Sequence, residues 1–294
     1  MSISLSNRAK AIKPSPTLAI TAKAKELKQE GRDIISLSAG EPDFDTPEHI
    51  ITAAAHAMQT GQTRYTQVGG TASLRHAICT KYARENQLHY QPSQVLVSNG
   101  AKQSIYNLTV ALLEAGDEVI IPAPYWVSYS AMVTMAGATP VILQCPSEQQ
   151  LKMTPEQLEA AITPATKLLM LNSPSNPNGQ AYQAHDWQAL GEVIRQHPQL
   201  IVMSDDIYEH IYWAKSPLTG LLNVCPDLAD RCVLVNGVSK AYAMTGWRIG
   251  YAVGPENIIA AMTKVQVESS SCASSISQAA AEAALNGPQN LLQP

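Results

Sequence analysis

Five short segments carry residues that could do chemistry. In Asn236-Gly237-Val238-Ser239-Lys240 a lysine follows small residues, and Arg248 stands eight residues on. A lysine in such a loop is usually a solvated surface charge. With an arginine beside it, the pair suits a dianion, because a guanidinium grips two oxygens at once. Ser204-Asp205-Asp206-Ile207-Tyr208 offers two carboxylates and a phenol. A carboxylate here could hold a ring nitrogen protonated, with Tyr208 facing the same ligand, or it could be a helix cap or a solvated charge. Ser98-Asn99-Gly100-Ala101-Lys102 exposes backbone N–H groups of small residues, which suits a phosphate or an ordinary tight turn. It is neither a G-x-x-x-x-G-K-[ST] loop nor a G-x-G-x-x-G fingerprint, so a nucleotide has no motif behind it. Pro122-Ala123-Pro124-Tyr125-Trp126 ends in an aromatic pair that could stack on a planar ring or pack in the core. Asn172-Ser173-Pro174-Ser175-Asn176-Pro177-Asn178-Gly179 is a turn-rich loop whose amides could also donate to a ring hydroxyl or a carboxylate.

Each segment follows a short apolar run. The runs are Val95–Val97, Val119–Ile121, Leu168–Leu171, Ile201–Met203 and Val233–Val235, joined by Val141–Leu143 and Ile249–Val253. Most are near-continuous rather than alternating, which suits strands covered by helices on both faces of a mainly parallel sheet. Helical patterns lie between them. Thr46-Pro47-Glu48 reads as an N-cap with proline at the first helical position, followed by Ile50, Ile51, Ala54, Ala55 and Met58. Leu74, Ala77, Ile78 and Tyr82 form another stripe, and Thr154-Pro155-Glu156-Gln157 opens a further capped helix. Two more helical stretches run from Pro255 through Val265 and from Gln278 to Leu285. The expected fold is an α/β sandwich. Ligands of such sheets bind beyond the carboxyl ends of the strands, so all five segments meet at one edge. Together they supply a lysine for an imine, a carboxylate for a ring nitrogen, a stacking ring and an anion cradle. Pyridoxal phosphate needs that combination.

Composition narrows the rest. The chain has 294 residues, 45 % of them hydrophobic, 15 % charged, with a net charge of −4. Apolar content is too high and net charge too low for disorder. There is no basic excess for nucleic acid or a membrane surface. The five cysteines include no C-x-x-C pair, which argues against a disulfide framework or a metal site and points to a reducing, cytoplasmic compartment. The basic N-terminus lacks the apolar core of a secretory signal, and no segment reaches the ~18 apolar residues of a membrane span. The first 45 residues stand outside the strand–helix alternation and are expected to form a smaller lobe.

The stretch Gly237–Gly250, GVSKAYAMTGWRIG, resembles the cofactor-attachment signature of the class I aminotransferases of pyridoxal-phosphate fold type I. Ser38-Ala39-Gly40-Glu41-Pro42-Asp43-Phe44, Tyr65, Pro124-Tyr125-Trp126, Asn172–Pro177 and Ser204–Tyr208 match in the same order, over essentially the whole chain. The likeness is greatest to the bacterial aspartate aminotransferase subgroup, which includes the aspartate/prephenate aminotransferases. The resemblance implies a three-layer sandwich around a seven-stranded sheet, with pyridoxal 5'-phosphate as cofactor. Lys240 would hold the cofactor as an imine and shuttle the proton. Asp205, rather than its rival Asp206, would pair with the pyridine nitrogen. Tyr208 and Asn176 would bond the ring oxygen, and Trp126 would stack on the ring. Gly100, Ala101, Lys102, Ser239 and Arg248 would surround the phosphate. Tyr65 would reach the phosphate of a neighbouring subunit, so a homodimer with shared sites is expected. Gly40, Trp126, Asn176, Lys102, Lys13 and Thr17 would serve the substrate, with Lys102 on its distal carboxylate.

The implied reaction moves the amino group of aspartate or glutamate to a 2-oxo acid such as 2-oxoglutarate or oxaloacetate, with prephenate as a further acceptor. The expected layout is 1–45 as part of a small domain, 46–285 as the large cofactor-binding domain, and 286–294 as a tail with the rest of the small domain absent. Full-length members run further and carry an arginine for the α-carboxylate, whereas no arginine follows Arg248 here. A catalytically incomplete cofactor-binding fragment and a β carbon–sulfur lyase of the same fold are the alternatives; Lys102 and the close signature match favour the transferase.

Overall fold

A computed structural model describes residues 3–12, 14, 16–37, 40–214, 216 and 218–292. In chain order, helices α1 (Asn7–Ala11), α2 (Pro16–Gln29), α3 (Glu48–Gln59) and α4 (Ala72–Lys81) precede strand β1 (Val95–Ser98). Strands and helices then alternate as α5 (Ala101–Leu112), β2 (Glu118–Ala123), α6 (Ser128–Ala136), β3 (Thr139–Gln144), α7 (Pro155–Ala161), β4 (Thr166–Asn172), α8 (Ala184–Gln196) and β5 (Ile201–Asp205). The chain continues through α9 (Leu221–Val224), β6 (Cys232–Gly237), β7 (Gly250–Val253), α10 (Glu256–Ser269) and α11 (Ser275–Asn286). All seven apolar runs are strands of one sheet, in the order β1-β7-β6-β5-β4-β2-β3. Only β7 is antiparallel, to both β1 and β6.

The strand composition follows from burial on both faces. Leu169, Leu171, Val202 and Leu234 face a core shared with Ile50, Leu74, Ile78 and Trp187. Their chain neighbours Leu168, Met170, Met203 and Val233 face the opposite core, with Ile105, Leu108, Val133 and Met262. Successive side chains of a strand point to opposite faces, so both must be apolar. Truncating one such fully buried leucine costs about 2–5 kcal/mol.

Local chemistry sets the start of α7 but not that of α3. Thr154 caps α7 as expected, accepting from Gln157 N, while the Gln157 side chain reaches back to Thr154 N. Thr46 does not cap α3. Its hydroxyl donates to Ala243 O at 2.7 Å and accepts from Trp247 Nε1 at 3.0 Å, a tertiary bond that displaces the local one. On α3 the buried face is Ile50, Ala54 and Ala57, whereas Ile51 and Met58 of the expected stripe are exposed. Sheet register then sets the stage for a site. Asn172 of β4 pairs with Asp205 of β5, and Asp205 with Val235 of β6, so β4 and β5 end level and β6 runs two residues further, to Gly237.

Candidate active site

Asp205 is the last residue of β5 and is 4 % exposed. Its carboxylate accepts Tyr129 O–H at 2.7 Å and Ile207 N–H at 3.2 Å. Burial pushes the carboxyl up to about 6, and these two donors hold it back from rising further. Among the described residues no cation pairs with it. Asp206 turns elsewhere, accepting from Ser204 Oγ at 2.7 Å. Beside Asp205, Asn172 Nδ2 donates to the Asp205 carbonyl at 2.8 Å, and its Oδ1 accepts Asn176 N–H at 2.7 Å. That bond folds the loop after β4 back over the sheet edge. Asn176 Nδ2 then meets the Tyr208 hydroxyl at 3.3 Å, two side chains predicted to share one ligand oxygen.

The turn from β1 into α5 forms the next part. Gly100 has φ +85° and ψ 159°, a region open essentially to glycine. A Cβ there would stand 2.3 Å from Arg248 Nη2, so the guanidinium lies against bare backbone. Gly250 is equally constrained, since a Cβ would meet Ala101 N at 2.0 Å. Arg248 is held by Nη1 donating to Thr245 O at 2.8 Å. The N-terminal N–H groups of α5 and a guanidinium thus converge, as an anion requires. Lys102 Nζ lies 4.7 Å over the Trp126 ring; burial first, then the Arg248 charge, lowers its pKa. Trp126 also meets Tyr129 edge-on at 5.4 Å, linking the stacking ring to the Asp205 partner.

Ser239 and Lys240 follow β6. Ser239 is buried, and Lys240 Nζ donates to the Gly40 carbonyl. Burial is the main cause of a lowered Lys240 pKa; Glu41 opposes it and Arg248 adds to it. Glu41 itself accepts from Thr245 Oγ1 at 2.6 Å.

The structure therefore brings Asp205, Tyr208, Asn176, Trp126, Lys102, Gly100, Ala101, Ser239, Lys240, Arg248 and Gly40 to one sheet edge. Thr17 lies exposed on α2, where its carbonyl accepts from Thr21 Oγ1. Tyr65 is 92 % exposed. Lys13, with Ser38 and Ala39, lies outside the described residues. Sequence reasoning missed Tyr129, Asn172 and Glu41 as site residues. Tyr129 had a signal, standing three positions after Trp126 at the start of a helix. Glu41 had only its place in a matched segment.

The residues fit a phosphorylated pyridine aldehyde. A buried carboxylate without a cation is costly unless a positively charged N–H meets it. The Gly100 turn offers an anion cradle that a side chain would fill, and a half-buried amine with a lowered pKa stands nearby.

Residues 32–293 match the family described as aminotransferase class I and II. The chain belongs to that family, whose enzymes depend on pyridoxal 5'-phosphate. It is 56 % identical over 290 residues to an aspartate/prephenate aminotransferase of Nitrosomonas europaea, covering 99 % of this chain and 73 % of that one. The crystal structure of the aspartate aminotransferase from Rhizobium meliloti superposes with a TM-score of 0.96 at 49 % identity, covering 99 % of this chain and 73 % of that one. The Thermus thermophilus aspartate aminotransferase with maleate gives 0.93 at 43 % identity, covering 97 % and 73 %. No described helix is long and apolar enough to cross a membrane.

Proposed function

We propose that this aminotransferase takes its amino group from aspartate or glutamate and delivers it to a 2-oxo acid, with prephenate among the acceptors. The observation that carries the reading is the buried, cation-free Asp205 carboxylate placed beside the Asn176–Tyr208 pair, on the same sheet edge as Lys240. The bound cofactor supplies a reactive aldehyde carbon and an electron-withdrawing ring. Asp205 holds a proton on the ring nitrogen, and Tyr129 and Ile207 hold Asp205. Tyr208 and Asn176 donate toward the ring oxygen. Trp126 covers the ring face. Gly100, Ala101, Lys102, Ser239 and Arg248 bind the phosphate. Lys240 Nζ, its pKa lowered by burial, takes the proton from the amino acid's Cα. Lys102 also offers a cation to the distal carboxylate of an acidic substrate, and the names of the relatives support that preference. The Gly40 backbone would stand near the substrate's α-carboxylate, and Thr17 lies in the N-terminal segment that would close over the site.

We read residues 46–285 as the large cofactor-binding domain and 1–45 as part of a small one. The exposure of Tyr65 and of Phe44, 79 %, supports a homodimer in which Tyr65 reaches the partner's phosphate. The absence of paired cysteines supports a cytoplasmic setting.

The test is a visible absorbance spectrum of the protein with pyridoxal phosphate, before and after aspartate. Formation of a bound-cofactor band that aspartate converts supports the reading. A band that aspartate leaves unchanged refutes the donor assignment. Borohydride should then fix the cofactor on the peptide containing Lys240; a label elsewhere refutes that role.

A further inference from the structure

A second polar cluster lies behind Asp205 and Tyr208, and the reaction does not use it. Lys81, at the end of α4, has a fully buried side chain. Its Nζ donates to the Glu209 carboxylate and, at 2.9 Å, to Asn86 Oδ1. Glu85 stands 3.6 Å from the same nitrogen, and His210 Nε2 lies 3.0 Å from Glu85. Asp206 lies close enough to feel the charges of both Lys81 and Glu209. Glu209, 9 % exposed, is fully used. One oxygen accepts Asn86 Nδ2 at 3.1 Å, and the other accepts Asn236 Nδ2 at 2.6 Å as well as Lys81. Asn236 Oδ1 in turn accepts Gly237 N–H at 2.7 Å.

One carboxylate thus joins three separate elements. They are the π-helical turn Tyr82–Asn86 that extends α4, the loop after β5, and the last residues of β6. Glu209 directly follows Tyr208, and Asn236 precedes Lys240 by four residues. The last backbone bond from the β5 loop to β6 is Asp206 N–H to Val235 O at 2.8 Å; past it, among the described residues, no backbone bond joins the Tyr208 loop to the Lys240 loop. Stability alone does not account for the cluster, because a well-packed apolar pair commonly replaces a buried ion pair without loss. A shared carboxylate has geometric consequences that an apolar pair lacks, since it fixes direction as well as distance.

We propose that Glu209 is a positioning residue. Anchored by Lys81 and tied to Asn236, it sets the Tyr208 loop against the Lys240 loop so that phenol and amine address one cofactor. The inference rests on the functional reading above.

The test uses the full chain loaded with pyridoxal phosphate and three variants. Lys81→Met with Glu209→Leu removes the charges and the tie to Asn236 together. Lys81→Met with Glu209→Gln keeps an amide oxygen for Asn236. Asn236→Ala cuts the tie and leaves the ion pair. The readouts are the pH midpoint of the bound cofactor's visible absorbance change, and kcat against KM. The leucine double variant and Asn236→Ala are expected to raise the midpoint by about one unit, the scale of one weakened charge-assisted hydrogen bond. Both should lower kcat about tenfold with KM little changed, as expected for an interaction made in the transition state. The glutamine double variant should return most of both. A merely structural role would lower stability without moving the midpoint. Wild-type midpoint and kcat in Asn236→Ala, or in the leucine variant, overturn the proposal while leaving the functional reading intact. A wild-type chain that takes up no cofactor overturns both.

Discussion

Asp205→Asn is expected to make the cofactor-free protein less sensitive to rising pH between about pH 4 and pH 8 while crippling its hold on the cofactor. The Asp205 carboxyl is 4 % exposed, and burial lifts it from an ordinary 3.8 to about 6. The folded state therefore binds this proton more tightly than the unfolded chain. Its contribution to stability is complete below about pH 4 and is lost as pH rises through about 6. A shift of about two units corresponds to roughly 3 kcal/mol. Asparagine cannot ionise and escapes that loss, while its amide oxygen can still accept from Tyr129. The difference in unfolding free energy, variant minus wild type, should thus grow by about 3 kcal/mol between about pH 4 and pH 8. Taking the difference cancels the titrating groups that do not feel Asp205. Asp206, pushed up to about 8 mainly by burial and in part by the Asp205 charge, is eased in the variant and moves the difference in the same direction. With pyridoxal phosphate the order reverses, because only the carboxylate pairs with a protonated ring nitrogen. Urea unfolding followed by circular dichroism at several pH values, with and without cofactor, reads both effects. Parallel pH profiles for the two proteins, or equal stabilisation of both by cofactor, would refute the reasoning.

Other perturbations follow from the same geometry. Tyr129→Phe removes a 2.7 Å donor from the Asp205 carboxylate, so the cofactor-free variant should lose about 1.5–3 kcal/mol more than wild type above pH ~6, again by urea unfolding. Gly100→Ala forces a residue with a side chain to φ +85° and sets a methyl against Arg248; we expect a stability loss of about 1–3 kcal/mol and weaker pyridoxal phosphate binding by titration. Lys102→Ala should lower the preference for aspartate over alanine as donor by roughly tenfold or more, and an unchanged ratio of kcat/KM values would reject the assignment. Thr154→Ala should cost about 1 kcal/mol through the lost α7 cap, with activity unchanged.

Particular residues show why some of the site was readable in advance. Gly100 and Lys240 follow strands, Asp205 ends one and Arg248 stands just before antiparallel β7, and the strands announce themselves because burial on both faces demands unbroken apolar runs. Once the strands are placed, the residues after them fall at one edge. Tyr129 was not readable as a partner of Asp205, because 76 residues separate them and only the packing of α6 against the sheet brings them together. Thr46 misled for the same reason. Its sequence neighbours suggest a cap, yet Ala243 and Trp247, some 200 residues away, claim its hydroxyl.

By itself the sequence determined the class of fold, the strand inventory, the signature around Lys240 and the type of ligand. These depend on local periodicity and on which residue types follow which strand. Tertiary structure alone decided how those parts act on one another. It made Asp205 a buried acid instead of a solvated one and buried the Lys81 side chain against Glu209. It also drew the Gly40 carbonyl onto Lys240. The reason is physical. A side chain's charge state and hydrogen-bond partners depend on the solvent and neighbours that folding removes or supplies, and those neighbours are distant in the chain.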